Sequence, residues 1–419
     1  MVGGMLRGSA LEVTGTPRII SVDDHVVEPP DLWQGALPGS LRSEGPRVER
    51  RFGYVDWTAD MQFSFVEDDG APGARWGDVW IYGDLEWPLT AGYAQIGPTS
   101  HLEAMTPVTY DEIQKGCHDK TARLADMQNN HTDASLCFPT FPRFCGQTFL
   151  ERGTRDLSLA CVRAYNDWMI EEWCGGDGAG HLLPQTLIPL WDAGLGAEEV
   201  HRCAAKGAVA IAFSECPPHL GLPSIHSGYW NPVFEACQET ETVVNMHIGS
   251  SSRAPVTSGD APLLVTSVLS SQNSEAAFAD WLSSGILATF PSLRIALSEG
   301  QVGWIPYILE RLDSGWDRST KFDKHMRERL PERPSSYVPG RVFGCIFDDA
   351  VGLRNRDVVG MGQIMFETDY PHADSTFPDS RQVAEKMIAE AGLDEHEAWS
   401  LLRGNAINCY GLHRFGIER

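Results

Sequence analysis

Eight short apolar runs, separated by helix-like segments, constrain this chain more than any other feature of its sequence. They are "RIISVD" (18–23), "ASLCFP" (134–139), "LLPQTLIP" (182–189), "AVAIAFSE" (208–215), "TVVNMH" (242–247), "RIALSE" (294–299), "GCIFDD" (344–349) and "QIMFETD" (363–369). Runs that stay apolar, instead of alternating, fit strands buried on both faces of a parallel sheet. Segments such as 157–173, 196–207 and 230–241 read as amphipathic helices. Gly207, after "HRCAAK", reads as a helix stop before the next strand. Strand and helix alternating in this way predict an α/β fold, a (β/α)8 TIM barrel, as one domain over 19–412. A doubly wound sheet is the second choice, weakened because the sequence holds no GxGxxG or Walker-type phosphate loop. Residues 1–18 and 413–419 are read as tails.

One stretch does not fit the alternation. Residues 34–120 are too long for one barrel helix and are rich in aromatics, among them Tyr54, Trp57, Phe63, Phe65, Trp76, Trp80, Tyr82, Trp87 and Tyr93. They are expected to form an insertion after the first strand, serving as a lid on the barrel mouth, as a subunit contact, or only as added stability.

Charge narrows the partners. The formal net charge is -24, which argues against nucleic acid and anionic membrane surfaces. Ten cysteines occur with no CxxC pair, as expected of buried, reduced thiols in a cytoplasmic protein. The N-terminal residues lack the continuous apolar core of a signal peptide, and no run is long enough to span a membrane.

Chemistry-bearing residues gather where a barrel places its active site, at the C-terminal ends of strands. In "SVDDHVVEPPDLW", Asp23 and His25 stand two apart and share one strand face. The fourth run ends at Glu215, the fifth at His247, the sixth at Glu299 and the eighth at Asp369. So many acids at one mouth repel each other unless a cation lies between them. The candidate metal ligands are therefore Asp23, His25, Glu215, His247, Glu299 and Asp369.

With "VDDHVVEPPDLW", "PSIHSGYWNPVFEAC", "NMHIGSS", "ALSEGQVGWIPYILERLD" and "FETDYPHADSTFP", the chain resembles the amidohydrolase superfamily. It is most similar to the amidohydrolase-2 branch, which includes decarboxylases like aminocarboxymuconate semialdehyde decarboxylase. The resemblance implies metal ligation by Asp23, His25, His247 and Asp369. It departs from the family pattern at Val27, where a second strand-one histidine often stands, and at Glu299, where a histidine is usual. Glu215 stands nearest the strand-four position that carries a modified lysine in many two-metal hydrolases, and Lys206 lies before that strand.

Four carboxylates and two histidines form a hard, oxygen-rich set suited to iron or manganese. That inventory matches carboxylate-bridged di-iron proteins. The first functional reading is accordingly a non-heme di-iron monooxygenase holding two Fe ions and using O2 on an apolar substrate. The alternative is a hydrolase or non-oxidative decarboxylase of a small carboxylate-bearing substrate, with one Zn or Mn. A barrel kept only as a binding scaffold is the third reading, and the retained ligand set speaks against it. His372, Asp369 and His226 are the candidate catalytic residues, with Asp374 and Ser375 as possible supports of His372. Arg253 and Arg143 are candidates for binding an anionic substrate group. His131 precedes the second strand and is expected to be structural. A homodimer is the expected assembly.

Overall fold

A computed structural model describes residues 15–57, 63–94 and 101–418. The first fourteen residues of the expected N-terminal tail, and the Phe63 side chain, lie outside the described part.

Thirteen strands are present among these residues: β1 (Ile19–Val26), β2 (Arg47–Trp57), β3 (Phe63–Val66), β4 (Arg75–Tyr82), β5 (Leu85–Pro88), β6 (Thr132–Pro139), β7 (Leu182–Leu183), β8 (Gln185–Leu187), β9 (Ala210–Phe213), β10 (Val243–His247), β11 (Ile295–Ser298), β12 (Val342–Ile346) and β13 (Ile364–Phe366). All the expected runs are strands, within a few residues of their expected ends. β1, β6 and β7 pair in parallel, and β8 to β13 pair in parallel in chain order. β7 and β8 are one barrel stave interrupted at Pro184, which has no N–H to donate to a ladder. Backbone bonds still cross on both sides of it, from Ser135 N to His181 O at 2.8 Å and from Val209 N to Pro184 O at 2.9 Å.

The chain beyond β13 closes the barrel. Asp369 N donates to Asp23 O at 3.0 Å, and His25 N donates to Tyr370 O at 2.6 Å. Counting β7 and β8 as one stave, eight parallel staves form the barrel, with helices between them. The strand interiors, such as Ala210–Phe213 and Val342–Ile346, are buried throughout, as staves covered on both faces require.

The helices form where their caps allow. Thr154 accepts from Leu157 N to start the helix Arg155–Asp167, which passes into a wider π turn over Trp168–Trp173. Asp192 caps Ala193–Ala204, and Gly207, at φ +105°, turns the chain into β9.

The insertion forms an antiparallel sheet in the order β3-β2-β4-β5. Trp76, Trp80 and Tyr82 share one face of β4, spread from its start to its end. Trp80 stacks on Phe141 at 4.8 Å and Tyr82 meets Phe149 edge-on at 5.8 Å, both buried beside the end of β6. Trp76, at the other end of the strand, is 56% exposed. Past this sheet, Tyr93 comes within 5.8 Å of the His372 ring, and Ala373 N donates to Gly92 O at 3.1 Å. The part of the insertion that reaches the barrel mouth is thus the segment after the sheet. No described helix is long and apolar enough to cross a membrane.

Candidate metal centre

Asp23 and His25 do share a face at the end of β1, as their spacing requires. His25 Nε2 lies 3.7 Å from Asp23 Oδ1 and 3.2 Å from Asp369 Oδ1. His247 Nε2 lies 3.5 Å from Asp23 Oδ2 and 3.2 Å from Glu299 Oε2. Asp23, His25 and His247 are grouped closely enough to hold one ion, and so are His25, Asp369 and His372. The His247 Nδ1 proton goes to Ile248 O at 2.6 Å, which leaves Nε2 with a free lone pair for a ligand.

Burial sets the electrostatics. It pushes the Asp23 carboxyl well above its usual range, and Glu367, Asp369 and Glu299 push it further. Glu299 is raised in the same way, by burial and then by Asp369, Asp374 and Glu367. Burial holds His25 and His247 well below the ordinary imidazole value, so both are neutral. At His372 burial opposes the charge most strongly, but the Asp369 carboxylate 2.9 Å from Nδ1, together with Asp374 and Asp24 beyond it, raises the value.

These residues fit a cation. Both oxygens of Asp23, His25 Nε2 and His247 Nε2 are buried without a hydrogen-bond partner. Four such atoms converging on one point are costly unless something positive binds them. Asp23, His25, His247, Glu299 and Asp369, five of the six candidate ligands, come together.

Glu215 does not join them. Its Oε1 is taken by Ser251 Oγ at 2.7 Å, Asn273 Nδ2 at 2.9 Å, Gly249 N at 3.0 Å and Ser251 N at 3.3 Å. It organises the loop after β10, and burial pushes its carboxyl up to about 7.

The other candidates divide. His372 stacks on His25 with centroids 3.8 Å apart. Its orienting carboxylate is Asp369, and Asp374 adds a further charge. His226 is not brought to the centre: it is an exposed residue whose Nε2 meets Asp280 Oδ1 at 2.5 Å. Arg253 is likewise exposed, and its carbonyl accepts from Asn273. Arg143 is half-buried, bonds Glu151 Oε2 at 2.9 Å and Ser252 Oγ, and bears electrostatically on Tyr93 at the mouth. His131 is structural, contacting Thr16 O at 3.0 Å.

Sequence reasoning missed Glu367 and Cys345. Glu367 stands two residues before Asp369, and that spacing was the available signal. Cys345 lies inside an apolar run and carried none. Phe144, stacked on His247 at 4.2 Å, was also missed.

No curated protein matches the chain. Among solved structures, an amidohydrolase from Mycobacterium avium subsp. paratuberculosis K-10 is 20% identical, with a TM-score of 0.68 over 96% of this chain and 100% of that one. The 5-carboxyvanillate decarboxylase from Sphingomonas paucimobilis is 21% identical, with a TM-score of 0.53 over 71% and 84%. A dihydroxybenzoic acid decarboxylase from Polaromonas sp. JS666, with bound manganese and 2-nitroresorcinol, is 17% identical, with a TM-score of 0.55 over 73% and 90%. These likenesses are of fold. The sequence model of the family described as Amidohydrolase matches residues 85–412, well over half of the chain, and the chain belongs to that family of metal-dependent enzymes.

Proposed function

We propose that the chain is a metal-dependent, non-oxidative decarboxylase of an aromatic carboxylic acid. The observation that carries this reading is the buried, orphaned ligand set with the His372–Asp369 pair beside it. The structural neighbours that are decarboxylases, one with manganese bound, support it. None of them supports iron or O2 chemistry, so the di-iron monooxygenase expected first gives way to its alternative. Manganese, in place of two Fe, fits the carboxylate and imidazole donors.

When bound, a divalent ion supplies positive charge that orients the substrate and offsets negative charge developing in the transition state. Asp23, His25, His247 and Asp369 would hold it, with Glu299 adjacent. Decarboxylation breaks the bond between ring carbon and carboxyl carbon, releases CO2 and leaves the electron pair on the ring carbon, which takes a proton. His372 is placed to give that proton, because the Asp369 carboxylate favours its charged form. Phe144 and Tyr93 offer aromatic walls beside His247 and His372 for a flat ring. Arg143 near Tyr93 is placed to pair with an anionic substituent.

Manganese-loaded protein is to be incubated with 5-carboxyvanillate and 2,6-dihydroxybenzoate, with and without oxygen, and CO2 release followed. The reading expects equal release in both atmospheres. Hydrolysis of an aryl ester or amide with no loss of CO2 from any acid, or turnover that needs oxygen, overturns it.

A further inference from the structure

Beside the cluster just described lies a second group of donors. Asp23, Cys345 and Glu367 each place one ligand atom within 4.8 Å of the others, and all three are buried. The Cys345 thiol donates to the Glu367 carboxylate. The Glu299 amide points at both, 3.4 Å from Cys345 Sγ and 3.2 Å from Glu367 Oε2. Two carboxylates remain incompletely satisfied. Glu367 is 0% exposed yet its Oε1 has no hydrogen-bond partner, and neither Asp23 oxygen has one. Leaving a buried charged acceptor unpaired costs more than leaving a neutral one unpaired.

Charge counting points the same way. Asp23, Glu367 and Asp369 are three buried carboxylates in one locus, and the half-buried Glu299 is a fourth beside them, 3.2 Å from His247 Nε2. One divalent ion offsets two of those charges. A second offsets the rest, with the thiol then able to ionise on it.

We propose that Asp23, Cys345 and Glu367 form a second metal site, bridged to the first through Asp23 and selective for a thiophilic divalent cation such as zinc. The two oxygens of a carboxylate carry about four lone-pair sites, enough for Asp23 to serve both ions. The thiolate makes the inner site softer than the outer one, whose donors are oxygen and imidazole. Three protein donors leave a fourth position open, as in zinc sites that also bind water or substrate. The inference rests on the metal reading of the centre and is independent of decarboxylation.

Chelator-treated protein is to be reconstituted with zinc or with manganese, and the bound metal counted by mass spectrometry after gel filtration. Zinc is expected at about two equivalents per chain and manganese at about one. Cys345→Ser and Glu367→Gln each lower zinc to about one equivalent. Cobalt-loaded wild type shows a thiolate-to-metal charge-transfer band that Cys345→Ser lacks. Glu367→Gln, nearly isosteric, carries the count if the cysteine variant fails to fold. One zinc in wild type, with no thiolate band on cobalt loading, overturns the inner site and leaves the outer one standing. No metal of any kind overturns both, so the two failures are distinct.

Discussion

Asp24 tests how the barrel seam positions the metal centre. It is 1% exposed and binds across three parts of the barrel. Its Oδ1 accepts from Ser21 Oγ at 2.8 Å, Thr368 Oγ1 at 2.6 Å and Tyr370 N at 3.1 Å, and its Oδ2 accepts from Ser135 Oγ. Asp24→Ala removes the acceptor of donors on β1, on β6 and on the stretch after β13. The hydroxyls can rotate toward other acceptors; the Tyr370 amide cannot. The buried Arg123 guanidinium also loses the nearby negative charge that balances it. A hydrogen bond to a charged group contributes ~1.5–3 kcal/mol, and breaking a buried ionic arrangement costs ~3–5. These effects overlap, so the expected loss is about 4 kcal/mol, and about half of that for Asp24→Asn, which keeps one acceptor oxygen. Urea unfolding measures it. Metal affinity is the second readout, because the backbone bonds that place Asp23, His25 and Asp369 lie on the same seam. A loss under about 1 kcal/mol, or wild-type metal affinity in Asp24→Ala, refutes the argument.

His372→Gln is expected to lower kcat by ~10²–10⁴-fold while bound metal stays at the wild-type count, since it removes a proton carrier and no orphaned ligand atom; loss of metal in step with activity would count against that role. Arg143→Ala is expected to raise KM for carboxylate substrates about tenfold with a smaller change in kcat, and an unchanged KM removes it from the substrate site. Metal-free protein should lose stability as pH rises from 6.5 to 8. Glu367, Glu215 and Glu28, held at about 8, about 7 and about 7, keep protons in the folded state that the unfolded chain, with glutamates near 4.5, has already released. Below 6.5 the neutral, buried His25 and His247 oppose that trend, because the unfolded chain protonates them. A melting temperature that is flat or rising over that window in chelated protein contradicts the assignment. Glu299→Gly is expected to be about 1 kcal/mol more stable than Glu299→Ala in chelated protein, because position 299 has φ +57°; an alanine variant at least as stable refutes the strain.

How much of this was legible depended on whether a residue's position follows from chain-local rules. The staves were legible because parallel strands buried on both faces read as unbroken apolar runs. The ends of those runs located Asp23, His25, His247, Glu299 and Asp369. Glu215 obeyed the same rule and still went elsewhere: the loop after β10 offers four donors to one of its oxygens, and a strand end does not show which way the side chain turns. His226 and Arg253 lie on loops, where position is fixed by contacts far away in sequence. Glu367 was readable from its two-residue spacing to Asp369. Cys345 was not, because a buried cysteine in an apolar run is the default for that residue. The insertion's sheet was missed because the many aromatics over that stretch indicate burial without indicating against what, and on one face of β4 the structure buries Trp80 and leaves Trp76 exposed.

Backbone strain ties these pieces to one purpose. Among the non-glycine residues with left-handed backbone are Glu299 at φ +57° and Asp369 at φ +56°, each just beyond the end of a stave. A side chain larger than glycine's in that region costs ~1 kcal/mol or more, so the position would be glycine if only the turn mattered. A carboxylate stands at both. At Asp369 the turn delivers Oδ1 to within 3.2 Å of His25 Nε2, and at Glu299 it delivers Oε2 to within 3.2 Å of His247 Nε2. The strain is offset by bonds to the flanking backbone: Tyr370 N donates to Asp24 and Thr368 N to Ser21, on either side of Asp369, and the Glu299 amide donates to Glu367. This gives the two aspartates of "DDH" separate work. Asp23 turns to the donor cluster, and Asp24 holds the seam that brings Asp369 to it.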